Sequence, residues 1–303
     1  MSAWIDAFLP TFALIALGLG LRLRLLPDPA FWAGIERLTF YVLLPCLLAY
    51  SISTVKLSEL PLGAMAATIW TTLIVATVSA LLISKLFGHG RAAMTSVVQG
   101  GIRFNNYVAL AIVAGLYGPA GLALGGVTAG LIVPCAQVIL TAVFVLSDGG
   151  RLQPLRLLRQ IATNPLLLGC LAGFTLALAG GMPAGIGPLA RTLGQAALAL
   201  GVLTVGAALT PGALRESPAT QVAVAVQKLI AVPLVTLALA RLSGLEPRIE
   251  AIAVLMMAIP TASTAYVMAR VMGGDARLMA AMITIQHLAS VATVPLWATV
   301  LAR

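Results

Sequence analysis

Two runs of polar side chains interrupt otherwise apolar stretches of this chain. The first, GGIRFNNYVAL at 100–110, sets Gly100 and Gly101 beside Arg103, Asn105 and Asn106; the second, AIPTASTAY at 258–266, sets Pro260 ahead of Thr261, Ser263, Thr264 and Tyr266. Paired glycines impose no side-chain constraint on the backbone and proline removes a helix donor, so both runs are places where a helix can open. The amides and hydroxyls beside them can bond backbone groups released by the break, or a polar solute held there. Arg103 sharpens the choice. A guanidinium deep in hydrocarbon needs a carboxylate, carbonyls or water, and a carboxylate solute offers its fork a two-point partner. The competing reading is an asparagine seam with an arginine that merely reaches one membrane surface. On the first reading the chemistry is recognition of a small anion, not bond-making; on the second the polar groups serve structure alone.

Other groups could assist. Lys228, beside Gln227, could neutralise a substrate or take part in proton coupling, or serve structure alone. Gln137 and the pair Gln286–His287 fall in the last helix of each half, and imidazole changes charge near physiological pH. No enzyme or metal constellation competes: Cys46, Cys135 and Cys170 stand apart, His89 and His287 are the only histidines, and Gly18-x-Gly20 lacks the rest of a dinucleotide fingerprint. No cofactor is expected. Proton coupling is the expectation, with sodium held by carbonyl and hydroxyl oxygens left open.

The elements that must carry these residues are membrane helices. The chain has 303 residues, of which 60% are hydrophobic and 9% charged, a composition for lipid and not water. Charged or turn-forming breaks divide it into ten apolar spans, at 4–25, 38–55, 62–86, 92–116, 122–146, 161–179, 188–209, 221–240, 251–272 and 278–301. The 29 glycines and 17 prolines suit helices that pack closely in a bilayer, and the cluster GLALGGVTAG at 121–130 reads as a helix–helix seam. Asp6 precedes the first span and Arg22 and Arg24 follow it, the reverse of a cleaved leader, so that span is expected to stay.

Loop charge sets orientation. One side collects Arg22, Arg24, Arg37, Lys85, Arg91, Arg151, Arg156, Arg159, Arg215, Arg270 and Arg277; the other has Lys56, Arg191, Arg241, Arg248 and Arg303. Eleven against five puts the first set in the cytoplasm and both termini outside. The net charge of +9 has the same origin, and without a concentrated basic domain it does not point to nucleic acid. The polar stretch SDGGRLQPLRLLRQ at 147–160 marks the boundary between a first half, 1–150, and a second, 151–303. Five spans per half force the halves into opposite orientations, and the polar spans are the fourth of each half. The fold class is therefore an all-α polytopic membrane protein of ten helices in two inverted five-helix repeats, with helices 4 and 9 interrupted.

RFNNYVALAIVAGLYG at 103–118 and AIPTASTAYVMARVMGGDARLMAAMITIQHLASVATVPLW at 258–297, with the ten spans and short central loop, make the whole chain similar to the auxin efflux carrier family. Its bacterial members include permeases proposed for malonate and related carboxylates, and it is related to the bile acid/sodium symporter fold. The resemblance implies a crossing of the interrupted helices 4 and 9, a scaffold and dimer contact from helices 1, 2, 6 and 7 and a moving transport unit from helices 3–5 and 8–10. It aligns Asn106 with the asparagine of the plant carriers' proline–asparagine–threonine motif and Pro260 with the second break. Here Phe104 and Asn105 precede Asn106 with no proline, which predicts a milder first break and counts against an auxin-like site.

The expected function is secondary transport of small organic anions, mono- or dicarboxylates such as malonate, by elevator-like alternating access. The alternative is a receptor or channel on the same fold. The partners implied are a small organic anion, membrane lipid and a second copy of the chain, in a bacterial inner membrane.

Overall fold

The computed structural model describes residues 2–147, 155, 158–159 and 162–302, with side chains from residue 5 onward. Most of the expected 147–160 boundary, Arg151 and Arg156 included, lies outside the described residues, as does Arg303. Regular structure among the described residues is entirely helical. Among the described residues seven helical stretches are long and apolar enough to cross a membrane: Ile5–Arg24, Pro29–Ser53, Leu62–Leu86, Arg91–Ser147 with a short interruption inside it, Ile186–Ala208, Pro218–Leu242 and Ala276–Leu301. The protein is thus an all-α, multi-helix membrane protein. A shorter apolar helix spans Pro165–Leu178, and the apolar stretch after Pro247 is divided into two short helices.

In chain order the α-helices are α1 Ser2–Arg24, α2 Pro29–Leu38, α3 Leu44–Ser53, α4 Leu62–Leu86, α5 Arg91–Ile102, α6 Asn106–Ser147, α7 Pro165–Leu178, α8 Ile186–Ala208, α9 Pro218–Val226, α10 Val232–Leu242, α11 Pro247–Ala258, α12 Thr264–Val271 and α13 Ala276–Leu301. Short side-chain caps start several of them. Asp28 accepts from the Ala30 N–H at 2.8 Å with Pro29 in the first turn, so helix begins well before the charged Glu36 and Arg37, where charge alone predicts a loop. Asn164 caps α7 through Leu166 and Leu167, and Asp275 caps α13 through Leu278.

Two π-turns, Thr39–Leu43 and Gln227–Ala231, each precede a proline by one residue, joining α2 to α3 and α9 to α10. The extra residue in the turn relieves the clash between the proline ring and the preceding turn's carbonyl. Pro233 cannot donate to Leu229, and the freed Leu229 carbonyl instead accepts the Trp297 indole N–H at 2.8 Å. In α6 the expected 117–121 break shrinks to Gly118 alone, at φ +65°, ψ −156°, a conformation open to glycine and not to a side-chain-bearing residue.

The chain divides into two compact units. Unit 1 comprises 1–62, 106–133 and 159–208. Its helices touch through small residues. A Cβ on Gly18 would collide with the Leu203 carbonyl and one on Gly206 with the Ile15 carbonyl, so α1 and α8 meet backbone to backbone. Gly169 and Gly173 do the same for α7 against Pro45 and Ile52, and the glycines of 121–130 contribute Gly126 against Ile52 and Gly130 against Phe174. Gly206→Val is expected to abolish recovery of monodisperse protein, because the obstacle is main chain and cannot turn aside. Gly20→Ala, where nothing lies within 4 Å, is the control that should leave yield unchanged; size-exclusion chromatography in detergent checks both.

Unit 2 comprises 63–105, 134–158 and 209–303 and contains α4, α5, the end of α6 and α9 to α13. Helix α13 runs through its packing, touching α5, α9, α11 and α12. Both helix interruptions lie in this unit.

Candidate functional site

Helix α5 ends at Ile102, and residues 103–105 are non-helical before α6 opens at Asn106. Helix α11 ends at Ala258, and residues 259–263 are non-helical before α12 opens at Thr264. The chain leaves both helices in the same way: Arg103 has φ −72°, ψ 155° and Ile259 has φ −72°, ψ 140°. The first break is therefore a full one without a proline, a correction to the milder interruption expected there. Gly100 and Gly101 weaken the helix locally, but the break persists because distant groups satisfy what it releases.

That repair accounts for much of the polarity. Once α5 stops, the Gly100 carbonyl has lost its partner four residues on. It accepts instead from Thr261 Oγ1 at 2.7 Å and from Gln286 Nε2 at 2.9 Å. The other atom of the same amide, Gln286 Oε1, accepts the Thr261 N–H at 2.9 Å, and the Asn105 N–H donates to the Pro260 carbonyl at 2.9 Å. One glutamine on α13 thus ties the two breaks together, and the strands are also joined main chain to main chain. Gly100 and Gly101 permit this approach: a Cβ on Gly100 would lie 2.9 Å from Met282 Sδ, and one on Gly101 2.6 Å from Gln227 Oε1.

Arg103 sits half-buried beside the amino end of α12. Its Nη2 donates to Thr264 Oγ1 at 3.1 Å and its Nη1 approaches Met268 Sδ at 2.9 Å. Neither partner carries charge. Thr264 and Met268 are four apart on one helix face, which is why both reach the same guanidinium. Tyr266, two residues from Thr264, turns the other way: it is 37% exposed, with the Arg270 guanidinium 6.0 Å from its ring centroid. Ser263 and Asn105 are buried within the breaks. Asn106, the first residue of α6, falls in unit 1; its Oδ1 is buried without a protein partner.

The accessory candidates separate. Lys228, fully buried, donates from Nζ to the Met257 carbonyl at 3.1 Å, next to the second break. The His287 ring bonds the Ile283 carbonyl of its own helix through Nδ1 at 2.8 Å; this fixes the proton there and leaves buried Nε2 without a partner. Gln137 donates to Thr141, also on its own helix, at 3.4 Å.

Two more residues of unit 2 bear on the breaks: Gln227, which the sequence marks only as the neighbour of Lys228, and Gln99, which it does not mark. Gln227 Nε2 donates to the Ala76 carbonyl and Ser79 Oγ of α4 at 2.7 and 2.8 Å, pinning α4 to the π-turn. Gln99 is fully buried and neither atom of its amide has a protein partner. Ser96, Gln99 and Arg103 recur at helical spacing, so Gln99 lies along the edge of α5 that leads to Arg103. Its position directly before Gly100 was the available signal. Among the described residues no group of three or more His, Cys, Asp or Glu side chains could hold a metal.

No curated protein matches the chain. Residues 151–298, just under half of the chain and including the second break, match the family model described as a membrane transport protein, so over that stretch the chain is similar to a family of transporters and not of enzymes.

Proposed function

We propose that the protein is a secondary carrier of small organic anions, with ten spans in two inverted five-span repeats. Several features support the span count. The 57 residues of Arg91–Ser147, α5 and α6 with the break between them, are long enough for two crossings once divided at Gly118, and α11 with α12 supplies a ninth crossing that is interrupted like the fourth. The matched exits at Arg103 and Ile259 are what a repeated helix break looks like.

The observation that carries the anion reading is Arg103, a guanidinium at the amino end of α12 whose protein partners are a hydroxyl and a thioether. A carboxylate there gains a charge-assisted pair and the partial positive charge of the helix end. Alternating access would then move the transport unit against its scaffold. A carrier must also release its cargo, so the affinity required of such a site is moderate. Malonate is the first ligand to try on the resemblance of the sequence to carboxylate permeases; a receptor or channel is the second reading.

Purified protein in liposomes distinguishes these. Saturable uptake of a small carboxylate, accelerated by unlabelled carboxylate on the opposite side, is the expected result. Binding without flux would favour a receptor, and single-channel conductance a channel.

A further inference from the structure

A helix that stops inside a membrane leaves carbonyls at its carboxyl end, and in interrupted-helix carriers such ends hold the coupling cation. In this protein one of those carbonyls at the end of α11, that of Met257, is already taken. In an unbroken helix the Met257 carbonyl would accept from the Thr261 N–H, four residues on. That N–H is given to Gln286 Oε1, and Met257 accepts from the Lys228 ammonium at 3.1 Å. The Gly100 carbonyl at the end of α5 has Thr261 and Gln286 as donors, and the Pro260 carbonyl has the Asn105 N–H.

Lys228 is brought there by a specific device. The π-turn Gln227–Ala231 turns two consecutive long polar side chains inward, Gln227 to α4 and Lys228 to the end of α11. Lys228 is 0% exposed and is among the largest fully buried side chains. Its one protein partner is that carbonyl. An ammonium so placed meets the negative end of a helix dipole, and its own charge repels any second cation within a few ångströms.

We propose that Lys228 is the resident cation of the broken helix α11: its tethered ammonium fills the place of an inorganic coupling ion, so that folding, ligand binding and flux are indifferent to sodium. The flux part rests on the carrier reading above; the stability part does not.

The test is thermal unfolding of the purified protein in sodium chloride and in choline chloride at equal ionic strength, for the parent, Lys228→Ala, Lys228→Met and Lys228→Arg. The parent should melt at one temperature in both salts. Lys228→Ala and Lys228→Met should melt lower by roughly 5 °C, Lys228→Arg should stay closer to the parent, and sodium or ethylammonium should restore part of the loss in Lys228→Ala. A parent stabilised by sodium over choline, or a Lys228→Met protein that melts with the parent, overturns the proposal. Should the neutral variants not fold, the parent's salt comparison still decides. In liposomes, carboxylate uptake that requires sodium sinks the proposal while leaving the carrier reading intact, whereas sodium-indifferent melting with no flux does the opposite.

Discussion

Gln286→Leu is expected to lower uptake per correctly inserted protein by at least tenfold and to reduce thermal stability. The amide is a two-ended brace: Oε1 accepts from Thr261 and Nε2 donates to Gly100, in a fully buried setting where no water replaces either bond. Leucine leaves the Thr261 N–H without an acceptor, at a cost of about 1–3 kcal/mol for an orphaned buried donor. The Gly100 carbonyl is hurt less, since the Thr261 hydroxyl still reaches it. Gln286→Glu separates the two ends, because a carboxylate can accept from Thr261 but cannot donate to Gly100. An intermediate loss is expected from it. Melting curves and initial uptake rates on the same preparations check the ordering parent, Glu, Leu; a Leu variant with parental stability and rate would show that the breaks hold without the brace.

Arg103→Gln is expected to act differently, removing ligand recognition with little change in folding. Its protein partners are Thr264 Oγ1 and Met268 Sδ, neither of which is left as a buried charge when the guanidinium goes. What disappears is the charge-assisted pair with a bound carboxylate, worth about 1.5–3 kcal/mol, so affinity should fall roughly 10- to 100-fold. Arg103→Lys keeps the charge but loses the fork and should fall between. Equilibrium binding of labelled carboxylate, set beside the melting temperature, distinguishes this pattern from that of Gln286: affinity moves and stability does not.

Pro260 and the Gly100–Gly101 pair made the two interruptions legible in sequence, because backbone chemistry at those residues acts locally. The completeness of the first break was not legible. It depends on Thr261, Gln286 and the Pro260 carbonyl, all more than 150 residues away along the chain, and no local pattern announces a tertiary donor. The same limit applies to Lys228, whose type and approximate depth could be read but whose acceptor at the end of α11 could not. Tyr266 shows a different limit. Proximity in sequence groups it with Thr264, yet helical phase resumes at Thr264 and places a residue two positions on nearly opposite it, so Met268 shares the Arg103 face while Tyr266 meets Arg270. Early helix starts have a third cause: Asp28 with Pro29 forms a cap strong enough to carry Glu36 and Arg37 inside a helix, where charge alone had suggested a loop.

The carrier account depends on an anion site at Arg103. The most direct test is the melting temperature of the purified protein titrated with malonate and with its uncharged diamide, for the parent, Arg103→Gln and Thr264→Val. The account predicts saturable stabilisation of the parent by malonate and not by the diamide, with the response lost in Arg103→Gln and weakened in Thr264→Val. Equal stabilisation by malonate of the parent and Arg103→Gln would contradict it.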